Sequence, residues 1–382
     1  MIFKEFESLK PVAESWDALL PFNHHLQSKD LLILEHSEIE DLQFRYLFIY
    51  AEAFERPAAV AYFQLVHFQS KHYDAPLFEQ VILNFAERKM MKKGFHIIIC
   101  GNLFRVDAPG IFWDSTVVSD AEVIKQLQHY FTSLKQKAHV IVLKDWPNSV
   151  GNGLMKKYDF HLWPDDLTMK MALLPEWKYF ENYTTSLKHK YAQRVRKACK
   201  KFQNIKLVEF TLDEIIFYHD QIEGLFHQVV RHQLIRMIIP GSEYFIQMKK
   251  TLGDKFRVFA FFSNDELIAF SSHIVYDEVW EMHFLGMDYK KNKKYWIYFN
   301  LMYHAVEQAI GARKTSLELG RTAREVKAMM GGTPVYFISY VRIKGTLVNS
   351  IVSIFAKRFN KKAGNAWLSR NPYKTVESGS EI

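Results

Sequence analysis

The stretch that decides the fold reads Glu318-Leu-Gly-Arg-Thr-Ala-Arg-Glu-Val-Lys-Ala-Met-Met-Gly-Gly-Thr-Pro334 and lies between two apolar, β-like runs. A strand from Thr315 to Leu319 ends at Gly320, and a turn and a short helical segment follow. The segment holds three cations, Arg321, Arg324 and Lys327. Cations beside backbone N–H groups at a strand end can hold an anionic or carbonyl-bearing ligand, while the alternative interpretation is a solvated basic loop.

The composition is that of a globular protein with room for two or three domains. Of the 382 residues, 48% are hydrophobic and 15% are aromatic, which is enough to form a sizeable core. The formal net charge is +8, a moderate excess that favours anionic partners without requiring nucleic acid. No DNA partner is therefore predicted.

Cysteine usage and the N-terminal residues bear on the compartment. Cys100 and Cys199 lie far apart in a sequence that has 2 cysteines, which argues against a disulfide scaffold and suits a reducing environment. The opening residues Met1-Ile-Phe-Lys-Glu-Phe-Glu7 lack the pattern of a signal peptide, and no window reaches about 18 uncharged apolar residues. A cytoplasmic location without a transmembrane segment is expected.

The apolar patterns divide the chain into two similar halves. Each half runs through a helix, antiparallel strands, a helix, a strand, a helix and a strand. This order predicts an α/β fold class with two fused domains, each a twisted mixed β-sheet flanked by helices. The predicted boundaries are 1–174 for the first domain and 175–362 for the second, with 363–382 as a polar, flexible tail.

Particular segments carry this division. Leu31-Leu-Ile-Leu-Glu35 is predicted to begin a run of strands, and Leu167–Leu173 is predicted to be the strand that closes the first domain. In the second domain, Asp213–Met237 is predicted as one long helix. The apolar run Tyr336–Ile343 is predicted as the last strand of the second sheet.

Three stretches between residues 168 and 334 share a resemblance to known enzymes. The first is Thr168-Met-Lys-Met-Ala-Leu-Leu-Pro-Glu-Trp-Lys-Tyr-Phe180 followed by Ser186-Leu-Lys-His-Lys-Tyr-Ala-Gln-Arg-Val-Arg-Lys-Ala198. The second is Leu319-Gly-Arg-Thr322 with Lys327, Gly331 and Pro334 after it, and the third is Phe284-Leu-Gly-Met-Asp-Tyr289. Together they resemble the Fem-like branch of the GNAT acyltransferase superfamily, which includes the Fem-type peptidyltransferases.

The resemblance implies two fused GNAT-like domains with an acyltransferase site in the second. In that group the donor binds where the strand that begins here at Val279 splays from the strand at Thr315. The implied donor-binding residues are Gly286, Asp288, Lys293 and Lys294. Because the turn Asp288–Trp296 lacks the usual glycines and carries four lysines, an acyl-carrier protein or an aminoacyl-tRNA stays open as donor beside acyl-CoA.

Substrate-binding candidates come from two basic segments. The resemblance places Arg321 and Lys327 in the site, where their charge suits an oxyanion or a carboxylate, and Arg324 and Glu318 lie beside them. The helix that follows Ser186 presents a basic face that includes Lys190 and Arg194. This face can bind phosphates of a nucleotide-linked precursor, of tRNA or of an anionic lipid surface, or it can simply be solvated.

Acyl transfer to an amine requires removal of a proton and stabilisation of a tetrahedral oxyanion. Glu281 and His283 share one face of a predicted strand, about 7 Å apart, and either can act as the base directly or through water. Glu318, on the neighbouring strand, is a third candidate, and Tyr340 can donate a proton to the leaving group. The alternative for each is a structural role, because buried polar groups are usually satisfied by hydrogen bonds.

A metal site is not predicted. His219, His227 and His232 are spaced by eight and five residues along a helical pattern, so they do not lie on one helical face. The sequence thus predicts an N-acyltransferase that moves an acyl or aminoacyl group to an amine acceptor, either a small molecule or an amine like that of a peptidoglycan precursor. The alternative is a non-catalytic module that binds a polyanion or an anionic membrane surface.

Overall fold

The computed structural model describes residues 2–50, 56–72, 83–134, 138–147, 152–163, 166–233, 236–363 and 367–374. The chain folds into two compact units, each built around its own β-sheet. The first unit comprises Met1–Asp166, Gln233–Thr251 and Tyr336–Asn360. The second comprises Leu167–His232, Leu252–Val335 and Lys361–Ile382.

The elements are numbered in chain order. The strands are β1 (Ile2–Phe6), β2 (Leu42–Tyr50), β3 (Pro57–Phe68), β4 (Phe95–Cys100), β5 (Ile111–Trp113), β6 (Val140–Leu143), β7 (His161–Leu162), β8 (Leu167–Ala172), β9 (Lys206–Glu209), β10 (Phe256–Ser263), β11 (Glu266–Val275), β12 (Val279–Met287), β13 (Ser316–Glu318), β14 (Thr333–Tyr336) and β15 (Tyr340–Ile343). The α-helices are α1 (Ala13–Asp17), α2 (Ser28–His36), α3 (Phe85–Lys93), α4 (Asp120–Ser133), α5 (Asn152–Lys157), α6 (Phe180–Ser186), α7 (His189–Lys201), α8 (Leu212–Phe217), α9 (His219–Val230), α10 (Ser242–Leu252), α11 (Tyr289–Tyr295), α12 (Ile297–Gly311), α13 (Arg324–Met330) and α14 (Thr346–Ala363).

The two sheets have matching strand orders. Over the described residues the first sheet runs β1-β2-β3-β4-β6-β15-β7, with β5 beside β3, and the second runs β9-β10-β11-β12-β13-β8-β14. In each sheet a parallel pair, β4 with β6 and β12 with β13, lies among antiparallel neighbours. The predicted fold class of two mixed sheets flanked by helices is confirmed.

Each sheet takes one strand from the opposite half of the chain. The strand β8 was expected to close the first sheet, but it pairs with β13 in the second. Conversely, β15 was expected in the second sheet, but it pairs with β6 and β7 in the first. The compact units therefore do not follow the predicted division at residue 174. Sequence patterns identify both strands correctly, but they carry no information about the partner that each strand selects.

Two predictions of secondary structure need correction. The run Leu31–Glu35 lies in α2 and is not a strand, because a short apolar run fits either structure and Asp17 satisfies the start of this helix. The carboxylate of Asp17 accepts hydrogen bonds from the N–H (2.7 Å) and the hydroxyl (2.6 Å) of Ser28. The predicted helix Asp213–Met237 is divided into α8 and α9 at Tyr218, whose backbone leaves helical geometry. Residues 234–235 lie outside the described part of the chain.

Helix starts follow local signals that the sequence carries. At α3, α4 and α8 the residues Asn84, Ser119 and Thr211 form capping boxes with a glutamate three residues later. Each box satisfies backbone N–H groups that the first helical turn leaves unpaired. Of the helices that the structure describes, none has the combination of length and apolar character that crossing a bilayer requires.

Helices cover both faces of the second sheet. On one face, Trp280 and Leu317 pack with Val195 of α7 and Leu301 of α12 in a single buried cluster. On the other face, α9 crosses β12 at Gly286. A Cβ atom added at Gly286 would lie 2.3 Å from Cε1 of Phe270 and 2.7 Å from the backbone nitrogen of Phe226. Glycine at this position lets the helix approach the strand closely.

The C-terminal segment differs from its prediction as a flexible tail. The helix α14 reaches Ala363, and 367–374 packs onto the second unit with Trp367 only 4% exposed. Backbone hydrogen bonds join this segment to the junction of α6 and α7, where the N–H of Lys188 donates to the carbonyl of Pro372 at 2.8 Å. Aromatic side chains therefore anchor this segment, although its composition is polar. Residues 375–382 lie outside the described part.

Replacing Gly286 with alanine should destabilise the protein by about 2–3 kcal/mol, because the added methyl group overlaps the backbone of α9. Urea unfolding followed by circular dichroism measures the change. The matched control is Gly224→Ala on α9, where an added Cβ meets nothing within 4 Å. This control should be neutral or stabilise by up to about 1 kcal/mol. Equal midpoints for the two variants would contradict the close approach.

Candidate active site

The parallel strands β12 and β13 part at a pair of glutamates. Their pairing ends where Glu281 lies opposite Glu318. Beyond this point β12 continues to Met287 alongside β11, whereas the backbone after Glu318 stays with β8. The N–H of Leu319 donates to the carbonyl of Met169 at 2.9 Å, and the N–H of Met169 donates to the carbonyl of Gly320 at 3.1 Å. A splayed opening therefore begins at the two carboxylates.

A β-bulge lies on β12 next to this opening. Ser271 pairs with Leu285 and His273 pairs with Met282, so His283 and Phe284 together face one residue of β11. That residue, Ser272, accepts a hydrogen bond from the N–H of Phe284 (3.1 Å) and donates one to its carbonyl (3.2 Å). The bulge redirects the side chains of β12 at the place where its parallel partner leaves.

Glu318 is held by the turn that follows it. Its carboxylate accepts hydrogen bonds from the hydroxyl of Thr168 and from the N–H of Gly320, the latter at 2.6 Å. Gly320 has a φ of +82°, a left-handed conformation that glycine adopts without steric cost. The chain leaves β8 after this glycine and leads into α13.

Lys327, on α13, reaches back to the same turn. Its side chain is 3% exposed, and its ammonium donates to the carbonyl of Gly320 at 3.1 Å. Burial lowers the pKa of Lys327 to about 7, and the Arg324 charge acts in the same direction while Glu318 opposes it. Burial likewise raises the pKa of Glu318, and the Glu281 carboxylate raises it further. Lys327 can therefore gain or lose a proton near neutral pH.

Glu281 has two polar neighbours on its own hairpin. The hydroxyl of Tyr276 donates to its Oε2 at 3.3 Å, and Nδ1 of His283 lies 3.5 Å from its Oε1. The side chains of His283 and Glu281 are 2% and 7% exposed. A buried carboxylate with an imidazole beside it is a suitable proton acceptor. Together with Lys327 it provides a base and an acid at one opening.

The structure thus brings four predicted residues together: Glu281, His283, Glu318 and Lys327. It also adds Thr168 and Tyr276, which were missed from the sequence. Thr168 alternates with buried apolar residues in β8, but its role depends on the pairing of β8 with β13, which the sequence does not reveal. Tyr276 follows β11 and carries no sequence signal beyond its position near Glu281.

The other predicted substrate-binding residues lie on α7, on α13 and in the turn before α13. Arg321 is half-buried in the turn, and the guanidinium of Arg324 lies 5.9 Å above the ring of Trp367. Arg194, half-buried on α7, contacts the sulfur of Met329. Lys190 is exposed on the same helix, with its ammonium 4.9 Å from the ring of Tyr191.

The predicted donor turn is occupied by a helix, α11. Asp288 is its N-cap, and the carboxylate accepts hydrogen bonds from the N–H groups of Lys290 (2.8 Å) and Lys291 (3.3 Å). An acid therefore sits where the positive end of a helix would hold a phosphate. Gly286 is covered by α9, as described above, and Lys293 and Lys294 are exposed toward the end of α11.

Tyr340 lies in the first sheet and not in the second. It lies in β15, which pairs with β6 in the sheet of the first unit, and it is 2% exposed. The sequence predicts β15 as a strand of the second sheet, but β15 pairs with β6 in the first sheet.

Comparisons with known proteins give distant structural matches. No protein-family model matches the chain, and no curated protein matches it. The chain is similar to the crystal structure of FemX, with 10% identity, 92% of this chain and 100% of that chain covered, and a TM-score of 0.49. It is similar to a tandem GNAT protein from the clavulanic acid biosynthesis pathway, with 11% identity, 90% and 98% covered, and a TM-score of 0.48. L-PGS from Bacillus licheniformis matches with 12% identity, 94% and 99% covered, and a TM-score of 0.47.

The matched structures include members of the group that the sequence resembles. At identities of 10–12% and TM-scores of 0.47–0.49, they carry no argument about activity.

Replacing Lys327 with methionine should remove a pH dependence of stability. Because the folded pKa is about 7 and the ordinary value 10.5, the unfolded chain binds the extra proton between these values. The wild-type free energy of unfolding therefore increases as the pH rises from about 7 to 10.5. This contribution of Lys327 is lost as the pH falls back through the same window to 7. Relative to Lys327→Met, the wild type should gain roughly 2–4 kcal/mol between pH 6 and pH 9.5.

Denaturant unfolding at several pH values measures this difference. The exposed Lys190→Met is the control, and its difference from the wild type should not change with pH. A Lys327→Met difference that is equally constant would contradict the buried, low-pKa lysine.

Replacing Asp288 with alanine should cost about 1 kcal/mol of stability, because two N–H groups of α11 lose their acceptor. Thermal unfolding gives the change, with Lys290→Ala on the same helix as control because that side chain is exposed. An unchanged melting temperature in Asp288→Ala would show that the cap is not formed in solution.

Proposed function

We propose that the second unit is an N-acyltransferase that moves an acyl group from an activated thioester or ester to an amine. The observation that carries the proposal is the parting of β12 from β13 at Glu281 and Glu318, with Lys327 buried beside the same turn. An opening between splayed strands can take the extended arm of a donor and expose its carbonyl to both groups.

Each step of the proposed reaction is assigned to a residue of this opening. The acceptor nitrogen attacks the carbonyl carbon, and Glu281 takes the proton that the nitrogen loses, directly or through a water molecule. Lys327, as the ammonium, stabilises the oxyanion and gives its proton to the leaving sulfur or oxygen when the carbon–sulfur or carbon–oxygen bond breaks. Tyr276 and His283 orient Glu281, and Thr168 and Gly320 hold Glu318 next to Lys327.

The donor is proposed to be an acyl-CoA, with an acyl-carrier protein or an aminoacyl-tRNA as alternatives. Because Asp288 already occupies the first turn of α11, the phosphates are proposed to be held by side chains, with the exposed Lys293 and Lys294 near the end of α11 as candidates. The amine acceptor is proposed to bind against α7 and α13, where Arg194, Arg321 and Arg324 can pair with its anionic groups.

Replacing Glu281 with glutamine should lower kcat by about 10²- to 10⁴-fold, because the amide cannot accept the proton. The assay follows thiol release from acetyl-CoA and longer acyl-CoAs in the presence of a panel of amines and of peptides with free amino groups. Glu278→Gln is the matched control, since this exposed glutamate lies in the turn before β12. Amine-dependent thiol release that survives in Glu281→Gln would remove Glu281 from the mechanism.

A second candidate function rests on the basic face of α7. Six of its cations are exposed, and no acid accompanies them: Lys188, which caps the helix, and Lys190, Arg196, Lys197, Lys200 and Lys201. A non-catalytic module that binds a polyanion or an anionic membrane surface would use this face. Thermal-shift measurements separate the two functions: stabilisation by acyl-CoAs or charged tRNA favours the enzyme. Stabilisation only by heparin or by anionic vesicles, lost in high salt, favours the module.

A further inference from the structure

The helix that carries Lys327 is too short to be stable by itself. α13 has 7 residues, and helices need about 12–15 residues to form in isolation. Its N-cap, Ala323, has a left-handed backbone (φ +52°) and provides no side-chain hydrogen bond to the first turn. At the other end, Gly331 is also left-handed (φ +107°). The position of Lys327 therefore depends on contacts from outside this helix.

A segment near the C-terminus supplies such contacts. The residues Trp367–Lys374, here named the C-terminal strap, lie across the start of α7. The N–H of Lys374 donates to the carbonyl of Ser186 at 2.9 Å, and the ammonium of Lys188 donates to the carbonyl of Asn371 at 3.0 Å. With the bond from Lys188 to Pro372, these anchor the strap to the junction between α6 and α7.

The strap contacts both ends of α13. At the first turn, the guanidinium of Arg370 pairs with Oε1 of Glu325 at 2.8 Å, and Trp367 lies beneath Arg324. At the last turn, the ring of Tyr373 covers Gly331 so closely that a Cβ there would lie 1.8 Å from its hydroxyl oxygen. Tyr373 also packs 6.0 Å from the ring of Trp177, between centroids.

The Tyr373 hydroxyl is buried and has no hydrogen-bond partner among the described residues. Tyr373 therefore holds Gly331 by packing of its ring edge and hydroxyl against the glycine, and not by a hydrogen bond. Gly331 is matched to it, because any side chain at that position would displace the ring.

We propose that the C-terminal strap is a positioning element for Lys327, which clamps α13 at both ends and thereby fixes the ammonium at the carbonyl of Gly320. None of its residues takes part in the proton transfers proposed above, so Arg370 and Tyr373 are positioning residues. This inference rests on the proposed function only for its effect on catalysis. The clamp itself is a statement about the mobility of α13.

Full-length Tyr373→Ala tests the clamp by hydrogen–deuterium exchange read by mass spectrometry. Exchange in the peptide that covers 324–332 should rise about tenfold or more, while exchange in α9 and α12 stays at the wild-type rate. Tyr373→Phe keeps the ring and should match the wild type. Arg370→Gln, at an exposed residue, should give a smaller rise confined to the same peptide and serves if Tyr373→Ala does not fold.

A second test measures the activity of the same variant with the thiol-release assay. Tyr373→Ala should lower kcat about tenfold while KM for the donor changes less than about twofold, because the donor-binding groups stay in place. Full kcat in Tyr373→Ala, unchanged exchange in α13, or a rise spread equally over the second unit would each overturn the proposal. If the wild type transfers no acyl group to any amine tested, the proposed function fails, and the exchange arm still decides whether the clamp exists.

Discussion

Two carboxylates facing each other across parallel strands can be buried only if their charge is compensated. In the second sheet Glu281 and Glu318 occupy such positions, and the surrounding groups are arranged accordingly. Glu318 has an N–H, a hydroxyl and a lysine nearby, and Glu281 has a phenol and an imidazole. Removing one partner of such a cluster leaves an uncompensated buried charge, which is far more costly than losing an exposed pair. The turn at Gly320 provides the N–H group, and α13 provides the lysine, that compensate the charge of Glu318.

The same compensation explains why Lys327 suits proton transfer. A lysine in water holds its proton at neutral pH, whereas burial shifts the balance toward the neutral amine and Glu318 shifts it partly back. Its pKa of about 7 results from these opposing effects. The local packing that excludes water from Lys327 therefore sets the pKa on which its proposed proton transfer depends.

The sequence predicts most strands of the second sheet, for identifiable reasons. Alternating apolar residues identify β10, β11 and β12, and the positions of Glu281 and His283 on one strand follow from that pattern. The Gly320 turn is marked by glycine at a strand end. Contacts between distant segments are not encoded in local patterns, so Thr168 beside Glu318 and Tyr373 over Gly331 escape prediction. The misassigned helix α2 is a different case, because four consecutive apolar residues fit a strand and a buried helix equally well.

The exchange of β8 and β15 between the two sheets has a consequence for synthesis. A chain that leaves the ribosome from its N-terminus presents β6 long before β15, its neighbour in the first sheet, has been made. Until residues 340–343 emerge, that edge of β6 lacks its partner and is open to pairing with other chains. Likewise β8 is made some 140 residues ahead of β13 and waits for the second sheet. Neither half of the gene product can complete its sheet in isolation, so the two units are obliged to mature together.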